Sequence, residues 1–131
     1  MNDRTFANPD LAPNLALAAS VWLVMAVTFA SLAPSALVPH LFNSFHVEHF
    51  AAFYVLAAAA SLGLPRRGLT TLAPAVIGFA CLLEALRMLT PAHRLTSAAD
   101  LVCDVDGVVA AFAPILFCRF RQRMARLQRQ A

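Results

Sequence analysis

The chain has 131 residues, a net charge of +3 and a mean hydropathy of +0.69. Hydrophobic residues make up 60% of it and charged residues only 13%, whereas a soluble domain carries about 25% charged residues. This composition excludes an ordinary water-soluble domain and predicts an integral membrane protein. All ten basic residues are Arg and lie at the ends of apolar runs, which indicates membrane topology signals and argues against nucleic-acid binding.

The first apolar run follows a polar segment, residues 1–14, which we interpret as a tail. The run itself, residues 15–38, holds no charge, and a helix of this length can cross a hydrocarbon core of about 30 Å. A cleaved signal peptide is the alternative. The run exceeds the usual apolar region of about 7–15 residues, and the segment before it is more acidic than basic. We therefore expect a retained membrane helix.

Three further apolar runs follow, separated by segments rich in Pro, Gly, His and Arg. The connection 39–47 contains His40 and His46, and Gly63 to Gly68 break the chain after the second run. The runs cover residues 49–64, 69–89 and 98–117, and an Arg-rich tail, 118–131, ends the chain. Open sheets are excluded in lipid because their edges leave backbone groups unpaired. The sequence therefore predicts an all-α, four-helix transmembrane domain over 15–117.

The Arg residues predict the orientation of this bundle. With four spans, eight of the ten Arg lie on the side of the two termini and of the 65–68 connection, and two lie on the other side. Positive residues favour the cytoplasm. Both termini are therefore expected to be cytoplasmic, in a multi-pass protein of a plasma membrane.

The remaining charged residues gather at the predicted outer ends of helices two, three and four. A charge inside a span costs about 2.5–3.5 kcal/mol by insertion scales, and such groups usually face a partner or a polar cavity. Their common depth predicts one shared polar site. Its candidate ligand-binding residues are His49, Glu84, Arg87, Arg94, Asp100 and Asp104.

Helical spacing places several of these residues on common faces. Glu84 and Arg87 are one turn apart on helix three. We expect Glu84 and Asp104 to face each other across a polar notch. One stripe on helix four contains Asp100, Asp104, Gly107 and Ala111. The small Gly107 and Ala111 would let another helix approach closely.

Other interpretations of the charged residues stay open. Glu84 with Arg94, or Arg87 with Asp100, could form ion pairs that only lock the bundle. Glu48 and Asp106 fall off the stripes, and we interpret them as solvated or interfacial charges.

Metal binding is a further alternative, with His49, Glu84 and Asp104 as its ligands. The sequence lacks a tight ligand spacing such as His-Glu-x-x-His. We therefore expect neither a metal nor a cofactor. His40 and His46 are interpreted as ordinary polar residues of a connection.

These motifs resemble those of the VanZ-like family, small membrane proteins related to a teicoplanin-resistance protein. The family pattern has Lys-x-x-His at the start of one helix, Glu-x-x-Gln at the end of the next, then Arg and Asp-x-x-x-Asn-x-x-Gly. The corresponding residues here are His46-x-x-His49, Glu84-x-x-Arg87, Arg94 and Asp100-x-x-x-Asp104-x-x-Gly107. The resemblance covers residues 46–112. His46, Arg87 and Asp104 depart from the pattern, so ligand selectivity is expected to differ.

The resemblance implies a bacterial plasma-membrane protein with a polar site on the outer face. We favour a non-enzymatic protein that contacts membrane lipids and binds a lipid-linked or glycolipid-like envelope ligand, affecting envelope assembly or antibiotic sensitivity. Arg87 and Arg94 would hold its phosphate or carboxylate groups, which suit guanidinium.

Two other classes of function remain. An intramembrane enzyme would use Glu84, Asp104 or His49 as acid–base groups, but no nucleophile motif or metal set supports it. A small transporter subunit would need to form a homo-oligomer, because four helices of this size do not enclose a pathway.

Overall fold

The computed structural model is a bundle of four α-helices, and it describes residues 11–34, 37–38, 42–89 and 98–129, none of which is in a strand. The helices are α1 (Leu11–Leu32), α2 (Phe45–Gly63), α3 (Leu69–Leu89) and α4 (Ala98–Gln128). Each is long and apolar enough to cross a membrane. The prediction of an all-α chain with four helices of membrane-spanning length is confirmed.

The predicted helix ends agree with the structure for α3 and differ elsewhere. α1 begins at Leu11, within the predicted tail, and ends at Leu32, before the predicted 38. α2 begins at Phe45, so His46 lies in the helix and not in a connection. α4 continues through the predicted tail to Gln128.

α4 is longer than a membrane span requires. Its 31 residues measure about 46 Å at 1.5 Å per residue, against a hydrocarbon core of about 30 Å. The surplus lies at its C-terminal end, where Arg119 to Arg129 are all exposed.

α2 is the central helix, because it packs against each of the other three described helices. α1 contacts α2 and α3 and makes no contact with α4 among the described residues. The core lies between α2, α3 and α4. Its most buried members include Phe53 and Leu56 of α2, Ala80 of α3 and Val108 of α4.

Two glycines set how closely α2 approaches its neighbours. A methyl group on Gly107 of α4 would overlap the backbone carbonyl of Phe50 and lie 3.0 Å from the backbone nitrogen of Tyr54. A methyl group on Gly63 of α2 would lie 2.6 Å from the backbone nitrogen of Leu17 in α1. Helices in lipid gain packing energy from such backbone contacts.

Candidate functional site

The acidic residues of the described bundle lie at one of its ends together with Arg87. Glu48 lies in the first turn of α2, Asp100 in the first turn of α4 and Arg87 in the last turn of α3. α2 and α4 run in the same direction there, since His46 faces Asp100 and His49 faces Asp104. The close contact at Gly107 lies just beyond the second pair and brings the two helices together.

Four side chains form a connected row of contacts that runs from α3 through α2 to α4. Arg87 Nη1 donates to Glu84 Oε2 at 3.1 Å. The same nitrogen lies 3.5 Å from His49 Nε2. His49 Nδ1 lies 2.8 Å from Asp104 Oδ1. Glu84, Arg87 and Asp104 are all buried, at 7%, 8% and 2% exposure.

Because a carboxylate accepts and a guanidinium donates hydrogen bonds, the two contacts of His49 fit the tautomer with its proton on Nδ1. That proton is donated to the Asp104 carboxylate, and the lone pair on Nε2 then faces the Arg87 guanidinium. A second proton, on Nε2, would instead confront the guanidinium with another donor.

Arg87 also reaches the first helix. Its Nε donates to the backbone carbonyl of Ser31 at 3.2 Å, one residue before α1 ends. Arg87 therefore connects α1, α2 and its own helix. The role of Ser31 is not visible in the sequence, because a backbone acceptor in an uncharged helix leaves no side-chain signal.

The second His–Asp pair is more exposed than the first. His46 Nδ1 lies 3.2 Å from Asp100 Oδ1, with side-chain exposures of 56% and 12%. Exposed pairs of this kind contribute about 0–1 kcal/mol. We therefore assign the main structural role to the buried His49–Asp104 pair.

Four other residues named from the sequence have different outcomes. Glu48 is half-buried and accepts a hydrogen bond from the backbone N–H of Phe42 at 3.0 Å. Asp106 is exposed. Arg94 and His40 lie outside the described residues.

Among these four side chains, one carboxylate oxygen makes no hydrogen bond with the described residues. Glu84 Oε1 is buried and has no hydrogen-bond partner among the described residues. Buried polar atoms without a partner are rare, because they lose their hydration without replacement.

The predicted notch between Glu84 and Asp104 is filled, because Arg87 and His49 stand between the two carboxylates. A pocket of about 470 Å³ lies instead between α1 and α2. Its apolar wall includes Leu23, Ala26 and Val27 of α1 and Ala52 and Val55 of α2.

One end of the pocket is lined by Glu48, His49 and Arg87, which we call the charged cluster. Glu48, His49 and Arg87 line it together with Ser31. It therefore joins an apolar cleft to polar groups at one end of the bundle. Amphipathic molecules likewise have an apolar part and a polar end.

His49, Glu84 and Asp104 do not form a metal site. The described part of the chain contains no group of three or more His, Cys, Asp and Glu side chains placed to hold a metal ion. Arg87 occupies the space that a cation would need between Glu84 and His49.

Comparisons of this chain with protein-family models, with curated proteins and with solved structures each found no match. The VanZ-like resemblance therefore rests on the sequence motifs alone.

Proposed function

We propose that this chain is a multi-pass membrane protein that binds an amphipathic, lipid-linked or glycolipid-like envelope ligand at the outer membrane face. The observation that carries the proposal is the pocket between α1 and α2, whose apolar walls end at His49, Arg87 and Glu48. The ligand's chain occupies the apolar part, and its headgroup lies against the charged cluster.

The form of the pocket supports a lipid rather than a water-soluble ligand. Ligand sites usually combine apolar walls with a few placed polar groups. Here the walls come from helices that are long and apolar enough to span a membrane, so a lipid enters without crossing water. The VanZ-like motifs, which belong to a family linked to antibiotic resistance, agree with an envelope ligand in a bacterial plasma membrane.

An enzyme is less well supported. The His49–Asp104 pair resembles an acid–base dyad, but Asp104 contacts His49 Nδ1 and Arg87 contacts His49 Nε2. The imidazole is therefore occupied on both nitrogens. We assign His49 and Asp104 a positioning role.

Native mass spectrometry of the purified full-length chain tests the proposal. Wild-type protein should retain a co-purifying lipid, and Ala26→Leu, which fills the pocket, should lose most of it. Ala19→Leu is the matched control, because Ala19 is exposed two turns earlier on the same face of α1 and does not line the pocket. Equal lipid content in the two variants would refute the pocket as the binding site.

A further inference from the structure

Asp106 differs from the other acidic residues of α4. Asp100 and Asp104 are buried and paired with histidines. Asp106 is exposed on the outside of the bundle, and it makes neither a hydrogen bond nor an ion pair with any described residue. Its neighbours one turn away on the same side, Val102 and Val109, are both 57% exposed. The carboxylate therefore lies in an apolar outer surface of the helix.

The length of the uncharged part of α4 places Asp106 inside a membrane that the bundle spans. Residues 107–118 carry no charge and separate Asp106 from Arg119. These two residues are about 20 Å apart along the helix axis, whereas the hydrocarbon core is about 30 Å thick. Arg can extend its long side chain to the membrane surface, which the short side chain of Asp cannot do. With Arg119 at one edge of the core, Asp106 lies about 10 Å inside the other edge.

A carboxylate that faces lipid at this depth is unfavourable. Ionisable residues within membrane spans almost always face a partner or a polar cavity. The pocket between α1 and α2 does not reach Asp106. A cationic group on a neighbouring membrane helix would therefore stabilise this carboxylate.

The outer face of α4 around Asp106 is long and continuous. Its exposed residues follow one another at spacings of 3, 4, 7 or 8, which place them on one side of a helix. They include Val102, Asp106, Val109, Phe117, Phe120 and Leu127. Five Arg residues follow Asp106 in the chain, and no acidic residue does. The helix thus offers one acidic group inside the membrane and basic groups at its far end.

We infer that this face of α4 binds a membrane helix of another protein with the reverse charge pattern. That helix carries a Lys or Arg at the depth of Asp106 and acidic residues level with residues 119–129. A second copy of this chain is not complementary, because two copies in one orientation would set Asp106 against Asp106 and Arg against Arg. The inference shares the membrane insertion of the proposed function but does not depend on the ligand pocket, and it replaces the expectation of an interfacial charge at Asp106.

Synthetic membrane-spanning peptides test the inference. The first has a Leu/Ala span with one Lys at the depth of Asp106, and Glu residues beyond the span on the side of the C-terminal Arg residues. The second has Leu in place of this Lys, and the third has Gln in place of Glu. We expect each of these two changes to weaken binding about five- to tenfold, as is typical of polar contacts between membrane helices.

Binding is measured by energy transfer in phosphatidylcholine liposomes. The full-length protein carries a donor dye at Gly68→Cys, with Cys81, Cys103 and Cys118 replaced by Ser, and each peptide carries an acceptor. Gly68 precedes α3 and lies at the same end of the bundle as the C-terminal end of α4. The acceptor is attached at the Glu-containing end of the peptide, so a bound peptide places the two dyes at one membrane face.

Asp106→Asn measures the contribution of the carboxylate. The side chain is exposed, so the fold is expected to be kept, and the melting temperature checks this. The variant should bind the Lys peptide about five- to tenfold more weakly than wild type and the Leu peptide equally well. Phe117→Ala should weaken the binding of all three peptides, whereas Leu82→Ala, which shortens an exposed apolar side chain of α3, should not.

Two outcomes would overturn the inference. Equal binding of the Lys and Leu peptides to wild type would mean that Asp106 recruits no cationic partner. Energy transfer between donor-labelled and acceptor-labelled copies of the protein that is lost in Asp106→Asn would mean that a second copy covers this face. Neither result would affect the proposed ligand pocket, whose described lining contains no residue of α4.

Discussion

Asp104 stands where the VanZ-like pattern that these motifs resemble has Asn, and the environment of Asp104 suits both residues. Its carboxylate accepts the proton on His49 Nδ1 at 2.8 Å. An amide oxygen at the same place accepts the same proton. The charge of Asp104 is therefore not required for this hydrogen bond, whereas an acceptor is.

Asp104→Asn should therefore keep the free energy of unfolding within about 1 kcal/mol of wild type. Asp104→Leu should lower it by about 1–3 kcal/mol, because the buried Nδ1–H of His49 loses its acceptor. Reversible unfolding in mixed detergent micelles measures both values. An Asn variant as unstable as the Leu variant would show that the negative charge itself stabilises the bundle.

The sequence predicted that these polar side chains cluster but not how they pair. Charges at one depth and helical spacing were enough to name His49, Glu84, Arg87 and Asp104, which the structure joins in one chain. Pairing depends on how the helices are rotated, which spacing within one helix does not determine. Arg87 consequently stands between the carboxylates that we expected to face each other.

At the scale of the helices, errors in the predicted ends arose where hydropathy alone was used. α1 ends at Leu32 although the apolar run continues, because Pro34 disfavours helical backbone at the residue before it. α2 begins after Ser44, whose backbone is extended and whose side chain makes no capping hydrogen bond. The α3 ends were correct because Gly68 precedes the run and a polar, Pro-containing segment follows it.

The α1 side of the pocket was also missed. α1 has no charged residue, so charge clustering carried no information about it. The small residues Ala26 and Ala30, one turn apart, both line the pocket. Small residues at this spacing allow a close approach or a cleft, and the sequence alone does not distinguish the two.

The three glycines within helices give a matched test of helix packing. Gly107→Ala and Gly63→Ala each place a methyl group into the backbone of a neighbouring helix, and overpacking of this kind costs about 1–3 kcal/mol. Gly78 has no atom within 4 Å of the added methyl, so Gly78→Ala should be neutral or stabilising by up to about 1 kcal/mol. Thermal unfolding in nanodiscs measures the stability of the three variants relative to wild type.

Gly107→Ala and Gly63→Ala should differ in their effect on the His49–Asp104 hydrogen bond. Gly107 lies at the α2–α4 contact next to the His49–Asp104 pair, whereas Gly63 lies at the α1–α2 contact, at the opposite end of α2. NMR of histidine-labelled protein should show a hydrogen-bonded Nδ1 proton in Gly63→Ala and its loss in Gly107→Ala. A proton that survives in both would mean that the Gly107 contact does not position His49.

At the scale of the whole molecule, the two ends of the bundle carry opposite charge. The end that holds the site contains Glu48, Glu84, Asp100, Asp104 and Asp106 against Arg87 among the described residues. The other end has Arg66 and Arg67 between α2 and α3, and the C-terminal part of α4 carries only Arg as its charged residues. This asymmetry is the physical basis of the proposed orientation, because positive residues favour the cytoplasm.

Asn43→Cys and Gly68→Cys test this orientation. Both native residues are exposed, one before α2 and the other before α3, so α2 is the helix that lies between them. The native Cys81, Cys103 and Cys118 are first replaced by Ser. In intact cells an impermeant maleimide should label Asn43→Cys, while Gly68→Cys should react only after the membrane is permeabilised. The inverted pattern would place the charged cluster in the cytoplasm. Labelling of both cysteines in intact cells would show that α2 does not span the membrane.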